Sequence, residues 1–125
     1  MAKILIVDDE AHIRLLLQQT LEDLEDEFDV ELLVAENGEE ALETIQSEQP
    51  GLVFLDVMMP KKNGFEVCET VKKKLGMDDV YIILLTAKGQ EFDKQKGQEV
   101  GANLYMTKPF NPEEILERTK EILGL

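Results

Sequence analysis

Two hydrophobic periods alternate along this chain, and that alternation restricts it to very few folds. Short apolar runs occur at KILIV (3–7), VELLVA (30–35), LVFL (52–55), VYIILL (80–85) and NLYM (103–106), each too short for a helix and bounded by turn or polar residues. LVFL is also uniformly apolar, as a central strand buried on both faces must be. Between the runs the period changes to that of a helix. Ile13, Leu16, Leu17, Leu21 and Leu24 mark a first helix, and Ala41, Leu42 and Ile45 mark a second, capped by Asn37 and stopped at Gln49-Pro50-Gly51. Phe65, Val67, Cys68, Val71 and Leu75 mark a third, running from Gly64 to Gly76. GQEFDKQKGQEVGA predicts a weaker fourth helix, because Gly97 within it costs roughly 1 kcal/mol relative to alanine. Asn111-Pro112-Glu113-Glu114 is a full start signal for a fifth, ending near Leu123: a cap, a proline at the first position and acids facing the positive end of the helix dipole. Strands that alternate with helices and are joined by right-handed crossovers predict an α/β fold: a doubly wound five-stranded parallel sheet with five helices distributed over both faces.

Length and charge narrow the function. The 125 residues show no break in composition, so one domain over residues 1–125 is expected, and 43% apolar residues suffice for its core. No apolar run is long enough to span a bilayer, and MAKILIV lacks the length and cleavage pattern of a signal peptide, so a cytoplasmic protein is expected. A lone cysteine forms neither an internal disulfide nor a thiolate metal cluster, and Cys68 reads as a small buried helix residue. The formal charge of −14 argues against nucleic-acid binding by this chain and against an anionic membrane, and it favours a cation or a basic partner.

In an open parallel sheet, ligands bind beyond the carboxyl ends of the strands. There the first run is followed by Asp8, Asp9 and Glu10, the third by Asp56, the fourth by Thr86 and the fifth by Thr107 and Lys108. If those strands are neighbours, several carboxylates converge with one hydroxyl and one ammonium. Two like charges about 4 Å apart repel by roughly 4 kcal/mol at an effective dielectric of 20, more than a lone Lys108 offsets. Either a carboxyl stays protonated or a hard cation such as magnesium occupies an all-oxygen site, and magnesium favours phosphate as a co-ligand. Asp56 is then the candidate nucleophile, Asp8 and Asp9 hold the metal, and Thr86 and Lys108 bind phosphoryl oxygens. Glu10 reads as a residue that orients the helix start. No residue stands out as a general base for hydrolysis, which suits a switch that keeps its phosphoryl group for a time.

VDDE (7–10), FLDVMMP (54–60) with Gly64, LLTA (84–87) and GANLYMTKPF (101–110) together resemble the receiver domain of bacterial two-component response regulators, in order and in spacing. The resemblance implies the flavodoxin-like strand order 2-1-3-4-5 and a domain whose only chemistry is on itself. It implies that Asp56 accepts a phosphoryl group from a sensor histidine kinase or phosphotransfer protein. Asp9, Asp56 and the backbone carbonyl of Met58 would ligate Mg2+, or Mn2+ in its place, with Asp8 acting largely through water. It further implies that Thr86 and Lys108 sense the phosphoryl group, that Tyr105 is the aromatic switch, and that the Lys108–Pro109 bond is cis. Lys62 departs from the family, which usually has an apolar residue there, and Met58 and Lys88 occupy variable positions that resemble those tuning dephosphorylation.

Leu15, Leu16 and Leu17 are consecutive and cannot all face one core. They either widen the buried stripe or leave apolar surface, in which case His12, Ile13, Leu16, Pro109 and Phe110 form a kinase-docking face of the kind receiver domains use. An output partner is expected on the fourth helix, fifth strand and fifth helix, with the protein a monomer or a weak phosphorylation-dependent dimer. An aspartyl phosphatase is disfavoured because position 58 is Met rather than the second aspartate of that class. A flavin module is disfavoured because carboxylates replace its phosphate loop. The receiver half of a larger DNA-binding or enzymatic regulator remains an alternative.

Overall fold

A computed structural model describes residues 2–87, 92–109 and 111–125. Lys88 and Phe110 lie outside the described residues. The elements are β1 (Ala2–Val7), α1 (Ala11–Phe28), β2 (Val30–Ala35), α2 (Gly38–Glu48), β3 (Leu52–Asp56), α3 (Gly64–Glu69), β4 (Tyr81–Ala87), α4 (Phe92–Glu99), β5 (Leu104–Lys108) and α5 (Pro112–Leu123). All five strands are parallel in the order β2-β1-β3-β4-β5, with Leu5 opposite Val53 and Asp56 opposite Leu85.

Successive strand residues point to opposite faces, so each strand feeds two cores. Ile4, Ile6, Leu52, Phe54, Ile83 and Leu85 pack with Leu17, Leu21 and Leu24 of α1 and Ile115 of α5. Leu5, Val7, Val53, Leu55, Ile82 and Leu84 pack on the other side with Ala41 and Ile45 of α2 and with Val67, Cys68 and Val71. Each fully buried Leu, Ile or Phe contributes about 1.5–3 kcal/mol by leaving water, which commits the central strands to both helical layers.

The polar starts of the helices behave as local chemistry dictates. Asn37 accepts from the Glu40 N–H (2.9 Å), Asn63 and Glu66 form a reciprocal capping box, and Asn111 accepts from the Glu113 N–H (2.8 Å) beside Pro112.

Two expectations change, and one open alternative is decided. Leu16 is 39% exposed, the surface alternative for the leucine run, and Leu75 is 42% exposed, outside the apolar stripe of α3. Leu17 takes the core position of the leucine run, which turns Leu16 about 100° away from it. For Leu75, α3 continues into a π turn over Thr70–Lys74 that closes with the Leu75 N–H donating to Thr70 O (2.9 Å), so Leu75 caps the end of the helix rather than lying within its stripe. Finally, Thr86 and Lys108 lie inside their strands rather than after them, since the ladder pairs Thr86 with Thr107 and Ala87 with Lys108. Backbone hydrogen bonds extend the sheet past the point where apolar side chains stop.

Candidate functional site

Beyond Val7, Asp8 is fully buried and held from three directions. Its Oδ2 accepts from Lys108 Nζ (2.9 Å), its Oδ1 from the Glu10 N–H (3.0 Å), and its main-chain carbonyl from Arg14 Nη1 (2.7 Å). Arg14 also pairs with Glu36 at the end of β2 (3.3 Å). The sequence reading had no role for Arg14; its position in the first turn of the helix that leaves the acidic cluster was the available signal. Glu10 does not cap α1 with its side chain, and its carboxylate lies 3.3 Å from His12 Nε2 in the solvent. Asp8, through its Oδ1, rather than the Glu10 carboxylate ties down the start of α1.

Asp56 ends the central strand and is 4% exposed. Lys108 reaches across the end of β4 to donate both to Asp56 Oδ1 (3.3 Å) and to Asp8. Burial, then the neighbouring charge of Asp8 and more weakly that of Asp9, push the Asp56 carboxyl up to about 7, although Lys108 pulls the other way. For Lys108, burial opposes the charge, but its hydrogen bond to Asp8 and the Asp56 carboxylate more than offset this and raise it above the usual lysine value. Thr86, 2% exposed, lies at the adjoining end of β4.

Asp9 is exposed at the rim, and carboxylate oxygens of Asp8, Asp9 and Glu10 come within 4.8 Å of one another. Asp56 stands outside that close trio, with Lys108 on its Oδ1. The donors are all oxygen, and the charges of Asp8 and Asp9 add to the burial that raises Asp56, so these residues fit a hard divalent cation.

The loop after Asp56 is folded tightly over the strand end. Val57 N–H donates to Leu85 O (3.0 Å) and Val57 O accepts from the Gly64 N–H (2.9 Å). A side chain at Gly64 would overlap the Asp56 carbonyl, so glycine is required there. Met58 follows with a 66% exposed side chain. Lys62 needs no apolar contact to seat the loop, because its backbone and Cβ lie directly against Gly38 at the start of α2.

Tyr105 is half-buried on the α2/α3/α4 side of β5, opposite Leu84 in the ladder. Gly97 of α4 is the seat of its ring: a Cβ at 97 would lie 3.3 Å from Tyr105 Cδ2 and 3.2 Å from Leu84 Cδ1. The glycine that weakens α4 locally therefore lets that helix approach the sheet. Of the expected docking residues, His12, Leu16 and Pro109 are exposed and Ile13 is half-buried against the α1/α5 core. Pro109 follows a cis peptide bond, as the resemblance implied.

Residues 4–120 match the response regulator receiver domain family. The chain is 50% identical over 121 residues to the alkaline phosphatase synthesis transcriptional regulatory protein PhoP of Bacillus subtilis, covering 97% of this chain and 48% of that protein. It is 44% identical to the phosphate regulon transcriptional regulatory protein PhoB of Pseudomonas aeruginosa, covering 96% and 51%. It thus spans about half the length of these regulators. Among solved structures, the BeF3-activated DrrB receiver domain superposes with a TM-score of 0.85 at 35% identity over 100% of this chain and 99% of that one. The chemotaxis protein CheY4 of Vibrio cholerae superposes with 0.84 at 35% identity over 98% of each chain. No described helix is long and apolar enough to cross a membrane. A match over nearly the whole length, with relatives that superpose from end to end, establishes that the chain belongs to the response regulator receiver domain family, signalling domains rather than enzymes.

Proposed function

We propose that this chain is a single receiver domain working as a phosphorylation-dependent switch, with Asp56 as the phosphoacceptor. The supporting observation is the position of Asp56: buried at the end of the central strand, it shares Lys108 with Asp8 beside an all-oxygen acidic cluster. An Asp56 oxygen attacks the phosphorus of a phosphohistidine on a sensor histidine kinase or phosphotransfer protein. The P–O bond forms as the P–N bond breaks, leaving an acyl phosphate, and the released imidazole takes a proton from water. Asp8, Asp9, Asp56 and the Met58 carbonyl would hold Mg2+, Asp8 mainly through water. When bound, the ion supplies positive charge to the phosphoryl oxygens. Lys108 exchanges its bond to Asp56 for one to a phosphoryl oxygen, and the Thr86 hydroxyl binds another. Tyr105 follows Thr86 and alters the α4-β5-α5 face for an output partner. His12, Ile13, Leu16, Pro109 and Phe110 receive the kinase in the cytoplasm, and the domain is a monomer or a weak phosphorylation-dependent dimer.

Incubation with acetyl phosphate and Mg2+ should add one phosphoryl group by intact mass. Asp56→Asn should abolish the addition, and Asp9→Ala should weaken Mg2+ binding at least tenfold. Undiminished labelling of the Asn variant would overturn the assignment. The half-length coverage of proteins named as transcriptional regulators supports a second reading, in which the chain is the receiver half of a DNA-binding regulator. Sequencing the reading frame past Leu125 tests it: a following DNA-binding domain supports it, and a stop codon removes it.

A further inference from the structure

The formal charge of −14 is confined to one side of the molecule. Residues 1–56, which form β1, α1, β2, α2 and β3, hold sixteen Asp and Glu against two Lys and Arg, whereas residues 57–125 hold eleven of each. The second half of α1 concentrates the charge in Glu22, Asp23, Glu25, Asp26 and Glu27, followed by Asp29, with no base in its last turn. Acids there oppose the helix dipole and repel one another at three- and four-residue spacings. Among the described residues none of these six acids has an ion pair.

Next to them lies an open groove of about 370 Å³ between α1 and the edge strand β2, lined by Leu15, Gln18, Gln19, Glu22, Glu25 and Leu32. Leu15 is 54% exposed, and Val34, two residues beyond Leu32 on the same face of β2, is 44% exposed. Leu16 lies about 100° around α1 from Leu15 and outside the groove, which adjoins the kinase-docking face on its His12 side.

We propose that this groove docks a basic amphipathic helix of a partner protein. Leu15, Leu32 and Val34 offer apolar contact, and Glu22 and Glu25 supply the charge that lysines or arginines on the flanks of that helix would neutralise. Strand addition is disfavoured because Glu25 Oε2 already accepts the N–H of Leu32 at the sheet edge (3.4 Å). A second copy using the same face would set acid against acid.

Fluorescence anisotropy of the full chain at about 150 mM salt, where screening leaves only close charge contacts, tests this with a labelled leucine-lysine peptide of roughly 14 residues, about four helical turns. The peptide with helical period should bind at least about tenfold more tightly than a shuffled peptide of the same composition. Leu15→Ser, or Glu22→Gln with Glu25→Gln, should weaken binding about tenfold, whereas Glu39→Gln with Glu43→Gln on α2, an equal change in charge, should alter it less than about twofold. Absence of binding, equal binding of the two peptides, or equal weakening by the α2 pair would overturn the proposal.

Discussion

The two ends of the same sheet edge are organised by different forces. At the β1/β3 end, Asp8, Asp56 and Lys108 are held by charge and hydrogen bonds in a nearly dry corner. At the β4/β5 end, Tyr105, Leu84 and Gly97 are held by shape, a ring resting where a helix has no side chain. Changes at the charged end should therefore depend on pH and on divalent ions. Changes at the packed end should depend on volume and little on either.

The largest effect should come from Lys108→Met. Removing the cation that both carboxylates share leaves buried charge uncompensated, which typically costs about 3–5 kcal/mol. Urea denaturation in a chelating buffer should show a loss near the lower end of that range, and Mg2+ should recover part of it. Stability equal to that of the parent protein would mean that the charged end is held together by something else.

Asp56→Asn sharpens the same point with the opposite sign. A carboxyl at about 7 in the fold and 3.8 as its ordinary value keeps its proton in the folded state and loses it in the unfolded one over that window. Its contribution is therefore present below about pH 4 and is lost as pH rises through about 7, by up to about 4 kcal/mol. Without metal, the Asn variant should match the parent near pH 4 and exceed it at pH 8 by on the order of 2–4 kcal/mol. If chemical denaturation gives the two proteins the same pH slope, Asp56 does not carry the strain of this corner.

At the packed end the expected effect is smallest. Gly97→Ala adds helix propensity worth about 1 kcal/mol but places a methyl against the ring and Leu84. In a double-mutant cycle with Tyr105→Ala, the alanine at 97 should become about 1 kcal/mol more favourable once the ring is gone. That coupling should not change between pH 5 and pH 8. Additive effects would show that the ring does not depend on the glycine.

The elements were largely legible because each central strand is uniformly apolar and each helix carries an apolar stripe at its own period. Asp8, Asp56, Thr86 and Lys108 were legible as a group because they follow four runs that the sheet then places near one another. Other features depend on contacts that no local pattern encodes. Arg14 belongs to no motif in the sequence, and only the fold brings it to the Asp8 carbonyl. Gly97 looked like a flaw in a weak helix, because its benefit lies in a ring from another strand. Leu75 kept its spacing in sequence but stands exposed at the helix end, where a π turn closes.

The alternation of strands and helices, the helix caps and the surplus of carboxylates are written along the chain, since they follow from periodicity, side-chain hydrogen bonding and net charge. Packing across the sheet makes Lys108 bridge Asp8 and Asp56, selects which of three consecutive leucines enters the core, and gathers the acidic first 56 residues around the β2-β1-β3 half of the sheet. Those outcomes depend on strand order, which brings residues a hundred positions apart to hydrogen-bond distance, and a local sequence pattern has no access to it.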